Sequence, residues 1–198
     1  MTTDARRALL LSGSTRVGST NTAVLRTLAS MAPPWVTAVL YAGLSALPAF
    51  NPDDSASGLP RVDELLHDIR AADIVVICTP EYAGSLRGSF KNLLDWTVGG
   101  GELYGKPVAW VNAANPGRGD GAMAELEVVL GYVGAEIVES ACARMTVDRS
   151  EIGDDGIIIG GPVLHAGIAE IWTALAPMCD RTVSAADLLC TAPACRRS

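Results

Sequence analysis

Residues 73–79, DIVVICT, are an unbroken run dominated by β-branched apolar side chains. A strand with one wetted face alternates apolar and polar residues, so a run without alternation needs cover on both faces, the condition of an interior strand of a parallel sheet. Parallel neighbours cannot be joined by a tight turn and need crossovers, usually helices. The chain supplies these in alternation. An apolar run ends at residue 11, and residues 22–31 read as a helix with Leu25, Leu28 and either Met31 or Ala32 on one face, stopped by Pro33 and Pro34. Residues 35–41 read as a strand and 42–60 as a loop; Pro60 opens a helix to about residue 71 through Val62, Leu65, Leu66 and Ile69. Phe90, Leu93, Leu94 and Thr97 mark a third helix, residues 107–113 a fourth strand, and Met123, Leu126, Val129, Leu130 and Val133 a fourth helix. A fifth strand begins at 135–138 and is continued or repeated near Met145. Leu164, Ile168, Ile171, Trp172 and Leu175 make the last strong helix, Pro177 interrupts it, and residues 183–189 allow one more helical piece. The state of the acidic, glycine-rich residues 150–161 is open. The pattern predicts an α/β doubly wound sheet of five parallel strands in the order 2-1-3-4-5, with helices on both faces. One domain over residues 1–198 is expected, with an extension from about 177.

In such sheets ligands bind beyond the carboxyl ends of the strands, where strand order reverses. The loop after the first strand, within LLLSGSTRVGSTN at residues 9–21, offers the hydroxyls of Ser12, Ser14, Thr15, Ser19 and Thr20, the guanidinium of Arg16, and bends at Gly13 and Gly18. A helix start is a ready anion site, because its first amides lack intrahelical partners and lie at the positive end of the helix dipole. A plain turn with Ser19 or Thr20 capping the helix competes with that reading. A triphosphate loop is excluded, since Ser19 stands where that motif needs lysine, and the three-glycine dinucleotide fingerprint is missing. One terminal phosphate is the guest that remains. PEYAGSLRGS after the third strand and residues 115–121 after the fourth are two further loops expected at the same edge.

The net charge of −7 argues against nucleic acid and anionic membranes as partners. No apolar stretch reaches membrane-span length and residues 1–10 lack a secretory signal pattern. Five cysteines without a Cys-x-x-Cys pair suit a reducing compartment, hence the cytoplasm, with Cys78 a core residue. With only His67 and His165, neither in the three loops, neither a metal cluster nor a Ser-His-Asp or Cys-His arrangement is expected.

Thr79, Pro80, Glu81, Tyr82, Gly84 and Ser85, followed by Lys91, Asn92, Leu94, Asp95 and Trp96, resemble the TPEYNGS…KNALDW segment of NAD(P)H-dependent FMN reductases. Gly13-Ser14-x-Arg16-x-Gly18-Ser19-x-Asn21 resembles the phosphate loop of the same family, and the likeness covers roughly residues 6–135. The resemblance implies a flavodoxin-like fold, bound FMN, and a homodimer with flavin sites near the subunit interface, with tetramers left open. It implies that Ser14, Arg16, Ser19, Thr20 and Asn21 bind the FMN phosphate, and that Pro80, Glu81, Tyr82, Ala83, Gly84 and Ser85 line the isoalloxazine and ribityl, largely through backbone groups. Asp95 and Trp96 are expected to pack and cap the third helix against a partner subunit. The implied activity passes hydride from NAD(P)H to flavin N5 and then reduces a small acceptor in the same pocket by a ping-pong mechanism. That acceptor is a quinone, azo compound, free flavin or metal oxyanion, and no side chain acts as a catalytic acid. An FMN electron carrier and a fold homologue that has lost flavin are the competing readings. Three departures stand out: Ala83 replaces the usual asparagine, Arg87 stands where proline is common, and Ala113 and Ala114 replace hydroxyl and glycine residues in the third loop.

Overall fold

In the computed structural model, which describes residues 5–179, the apolar run becomes β3 (Ile74–Cys78), buried at every position. β3 is the middle strand of a parallel sheet. β1 (Arg6–Ser12) and β6 (Pro107–Asn112) flank it, with β2 (Val36–Tyr41) outside β1 and β7 (Glu136–Ile137) outside β6. Counting these five strands alone, the order β2-β1-β3-β6-β7 is the expected 2-1-3-4-5 of a flavodoxin-like sheet.

The two covered faces are explicit. Ala8, Leu10, Ile74, Val76, Ala109 and Val111 pack with Val24, Leu25 and Leu28 of α1 (Thr20–Ser30) and Ile168, Ile171 and Trp172 of α5 (Pro162–Leu175). Leu9, Leu11, Val75, Ile77 and Val108 pack on the other side with Leu65 and Ile69 of α2 (Pro60–Ala71), Phe90, Leu93 and Leu94 of α3 (Gly88–Trp96), and Leu126 and Leu130 of α4 (Asp120–Tyr132). Each large side chain taken from water contributes about 1.5–3 kcal/mol, which is why an apolar run with no polar alternation belongs at this position.

One element differs from the sequence reading. The segment after β3 is not irregular: β4 (Glu81–Tyr82) and β5 (Ser85–Leu86) form a small antiparallel hairpin around Ala83-Gly84. Two-residue strands carry no periodicity to read. The fifth strand is taken up again near Met145, as the sequence suggested: β7 pairs to Pro107 and Val108, a 3₁₀ turn follows at Glu139–Ala141, and β8 (Ala143–Arg144) pairs to Val111 and Asn112. Trp96 is engaged within its own chain: its Nε1 donates to the Pro48 carbonyl at 3.1 Å and its ring meets Phe50 edge-on at 5.0 Å, while Asp95 pairs with Lys91 at 2.6 Å.

Residues 148–159 form an ordered strap on α1. An antiparallel bridge joins Ile152 to Ile158, and the Ile158 amide donates to Thr27 Oγ1 on α1 at 2.9 Å, both residues being buried. Beyond α5, Ala176–Cys179 is a 3₁₀ turn. The possible helix at 183–189 lies outside the described residues. No helix among the described residues is long and apolar enough to cross a membrane.

Candidate functional site

At the end of β1 the Gly13 amide donates to the Cys78 carbonyl at 2.9 Å, holding the first loop against the end of β3. A Cβ at Gly13 would collide with Thr79 Oγ1, so glycine is required here for close approach. The Thr79 hydroxyl is itself buried without a hydrogen-bond partner, at the junction of the two loops. Ser19 occupies the N-cap position of α1, yet its side chain makes no capping bond. The plain-cap alternative is therefore not realised, and no side chain competes with a ligand for the first-turn amides. Asn21 Oδ1 accepts from the Cys78 thiol at 3.3 Å, which leaves the Asn21 amide nitrogen as a donor. Burial pushes the Cys78 thiol well above its ordinary range, so it stays protonated and keeps that contact.

Ser14, Arg16, Gly18, Ser19, Thr20 and Asn21 form one wall of a pocket of about 150 Å³, and Pro80, Tyr82, Arg87 and Arg149 complete it. The Arg87 guanidinium lies 5.1 Å from the centre of the Tyr82 ring. Arg149 Nη2 donates to the Gly18 carbonyl at 3.3 Å. Among the described residues, no carboxylate belongs to the lining, and none of the three arginines is in a salt bridge. Hydroxyls, free amides and guanidiniums without an acid are a donor set for a dianion, and the residues present fit a phosphate monoester.

Glu81, Ala83, Gly84 and Ser85 do not line this pocket; two of their side chains turn to α4. Glu81 Oε2 accepts from the Gly121 amide at 2.8 Å and the Ala122 amide at 3.4 Å, capping α4 from outside. Glu125 on α4 returns the contact, accepting from the Leu86 amide at 2.8 Å and from the Ser85 hydroxyl. These bonds, the Ser85 hydroxyl first, hold the Glu125 carboxyl below its ordinary value. Two carboxylates thus bolt the hairpin to α4 in opposite directions. Gly121 packs so closely on the Gly84 carbonyl that a Cβ there would overlap it. Ala83 has φ +52° and Gly84 φ +75°, and Ala83 is the only non-glycine with positive φ among the described residues.

The third loop is held by Asn112, which accepts from the Ala114 amide at 3.0 Å and donates to the Arg118 carbonyl at 3.3 Å; it adds nothing to the pocket lining. A larger hollow of about 730 Å³ between residues 140–146 and α5 shares no residue with the phosphate loop, and its lining mixes Arg144 with Glu151 and Glu170. The smaller pocket sits where the strand ends and the helix dipole converge, and it is the functional candidate. Sequence reasoning missed Arg149 and Glu125. Arg149 is an isolated arginine beside an acidic segment, and Glu125 looks like any exposed helical acid.

The sequence model for NADPH-dependent FMN reductase matches residues 6–146. An NAD(P)H-dependent FMN reductase of Pseudomonas aeruginosa is 39% identical over 114 residues, which are 56% of this chain and 61% of that protein. A quinone reductase of Escherichia coli strain K12 is 39% identical over 106 residues, 52% of this chain and 56% of its own. The chain thus spans under two thirds of the length of these two relatives. The solved structure of FerB, a flavoenzyme NAD(P)H:(acceptor) oxidoreductase from Paracoccus denitrificans, superposes with a TM-score of 0.76 over 88% of this chain and 99% of that one, at 24% identity, a likeness of fold. On the match across residues 6–146, the chain belongs to the NADPH-dependent FMN reductase family.

Proposed function

We propose that this protein is an FMN-dependent NAD(P)H oxidoreductase that passes reducing equivalents to a quinone or a similar small acceptor. The observation that carries the reading is the acid-free pocket between the uncapped start of α1 and the end of β3, formed within the stretch that matches the family. Bound FMN would supply the two-electron chemistry, accepting hydride at N5. The chain's own residues bind and orient. Ser14, Arg16, Ser19, Thr20 and Asn21 hold the phosphate, and Arg16 contributes its charge to it. The hairpin from Pro80 to Ser85 presents main chain and the exposed Tyr82 ring to the isoalloxazine, with Glu81 and Glu125 fixing its pose from behind. Arg87 adds positive charge beside Tyr82.

The purified protein should show a flavin spectrum, or acquire one with added FMN, and NADPH should bleach it without any other protein. Failure to bind FMN would overturn the reading; binding without bleaching would favour a carrier. Donor and acceptor taking turns at one open face predicts parallel initial-rate lines. Arg16→Ala should weaken FMN binding by about 1.5–3 kcal/mol, one charge-assisted phosphate contact, read by fluorescence titration.

The unit of function in this reading is a single domain over residues 1–198, working in the cytoplasm as a homodimer. Cys78 and Cys142 are unpaired, as a reducing compartment allows. Tyr132 is 90% exposed and Val128, one turn earlier on α4, 58% exposed, an apolar face suited to a second copy. Sedimentation at twice the chain mass is the expected result.

A further inference from the structure

The strap lies beyond the 6–146 stretch that matches the family, yet it delivers a side chain to the pocket formed there. Its construction is specific. Asp148 accepts from the Ser150 amide at 2.9 Å and hydroxyl at 2.8 Å, and the Asp148 amide donates to Glu151 Oε2 at 3.0 Å, closing a capping box around Arg149. The Ile159 amide bonds to the Glu151 carbonyl at 2.8 Å, and Ile158, 1% exposed, is sunk into the core shared by α1 and α5. Gly156, at φ +75°, lies so close to the Arg26 guanidinium of α1 that a Cβ would overlap it. Arg149 is therefore carried on a fixed arm anchored to the same helix whose first turn forms the pocket. Its bond to the Gly18 carbonyl at 3.3 Å ties the guanidinium to the phosphate loop, in a pocket lining that it shares with Arg16. A guanidinium has five N–H donors in a planar fork, so that bond leaves most of them for a ligand.

We propose that Arg149 is a second cationic arm of the phosphate site. It clamps the phosphate monoester of FMN together with Arg16, making the flavin a retained prosthetic group rather than an exchanging substrate. The inference rests on the FMN reading above. A phosphate carrying close to two negative charges at neutral pH is matched by two guanidiniums, and Arg87, stacked on Tyr82, is left for the ring end of the cleft.

The test is fluorescence titration of the full deflavinated chain with FMN and, in parallel, with riboflavin, which lacks the phosphate. Arg149→Ala should raise the FMN dissociation constant about 10- to 100-fold, the loss of a charge-assisted contact, while riboflavin binding changes less than about twofold. Arg149→Lys should fall between the two, because an ammonium keeps the charge and loses the fork. Melting of the flavin-free variants should match wild type. Unchanged FMN affinity in Arg149→Ala would overturn the proposal. So would equal weakening of FMN and riboflavin together with a lower flavin-free melting temperature, which would make Arg149 only a stitch to Gly18. If wild type binds neither ligand, the FMN reading itself fails; if it binds FMN and the variant matches it, the failure is confined to Arg149.

Discussion

Ala83 shows what a single residue can hide. In the sequence it stands out only as an alanine where the family usually has asparagine. In the fold it is the first central residue of a two-residue hairpin turn, with φ +52° followed by +75° at Gly84. Such turns favour asparagine or aspartate before glycine, because a left-handed backbone crowds an ordinary Cβ against the carbonyl while a short polar side chain tolerates it. Ala83→Asn should therefore stabilise the protein by about 0.5–1 kcal/mol, with no new ligand contact required, as a higher urea midpoint at unchanged slope would show. Gly13 was legible as a flexible turn, but its real constraint is the Thr79 hydroxyl beside it, a contact between residues 66 positions apart that no local pattern announces.

At the level of elements, the pairing of the hairpin with α4 depends on Glu81 and Glu125. Glu125→Gln keeps the shape and removes the charge, and should cost about 1 kcal/mol and reduce hydrogen-exchange protection at the Leu86 amide. Acid should act on wild type in the same way. The folded-state pKa of Glu125 lies below its ordinary 4.5, so its stabilisation is fully present above pH 4.5 and is lost as the pH falls through the lowered value. A Leu86 protection factor that responds to acid in wild type and not in Glu125→Gln would confirm the origin. Long elements were legible because α1 to α5 each repeat an apolar face over several turns. The hairpin was not legible as strands, since two residues cannot display a period.

For the whole molecule, the fully buried β3 run dictated a covered parallel sheet, and with it the edge where a ligand must lie. Two limbs of the candidate site, after β1 and β3, followed from local chemistry. Arg149 could not, because it meets Gly18 across 131 positions and only the folded strap brings it there. The split fifth strand gives that meeting a property of its own, one of length rather than composition. Val138 and Ala141 are buried while Glu139 and Ser140 face outward, so the turn joining β7 to β8 works as a spacer gripped at both ends. Replacing Glu139 or Ser140 with alanine should leave FMN affinity within about twofold, as expected for exposed positions without special contacts. Inserting one residue between them should weaken it, read by the same titration, by sliding β8 and the arm behind it out of step with the phosphate loop. Selection on this stretch would then act on how many residues it has more than on which they are, a constraint visible as a conserved gap length instead of a conserved letter.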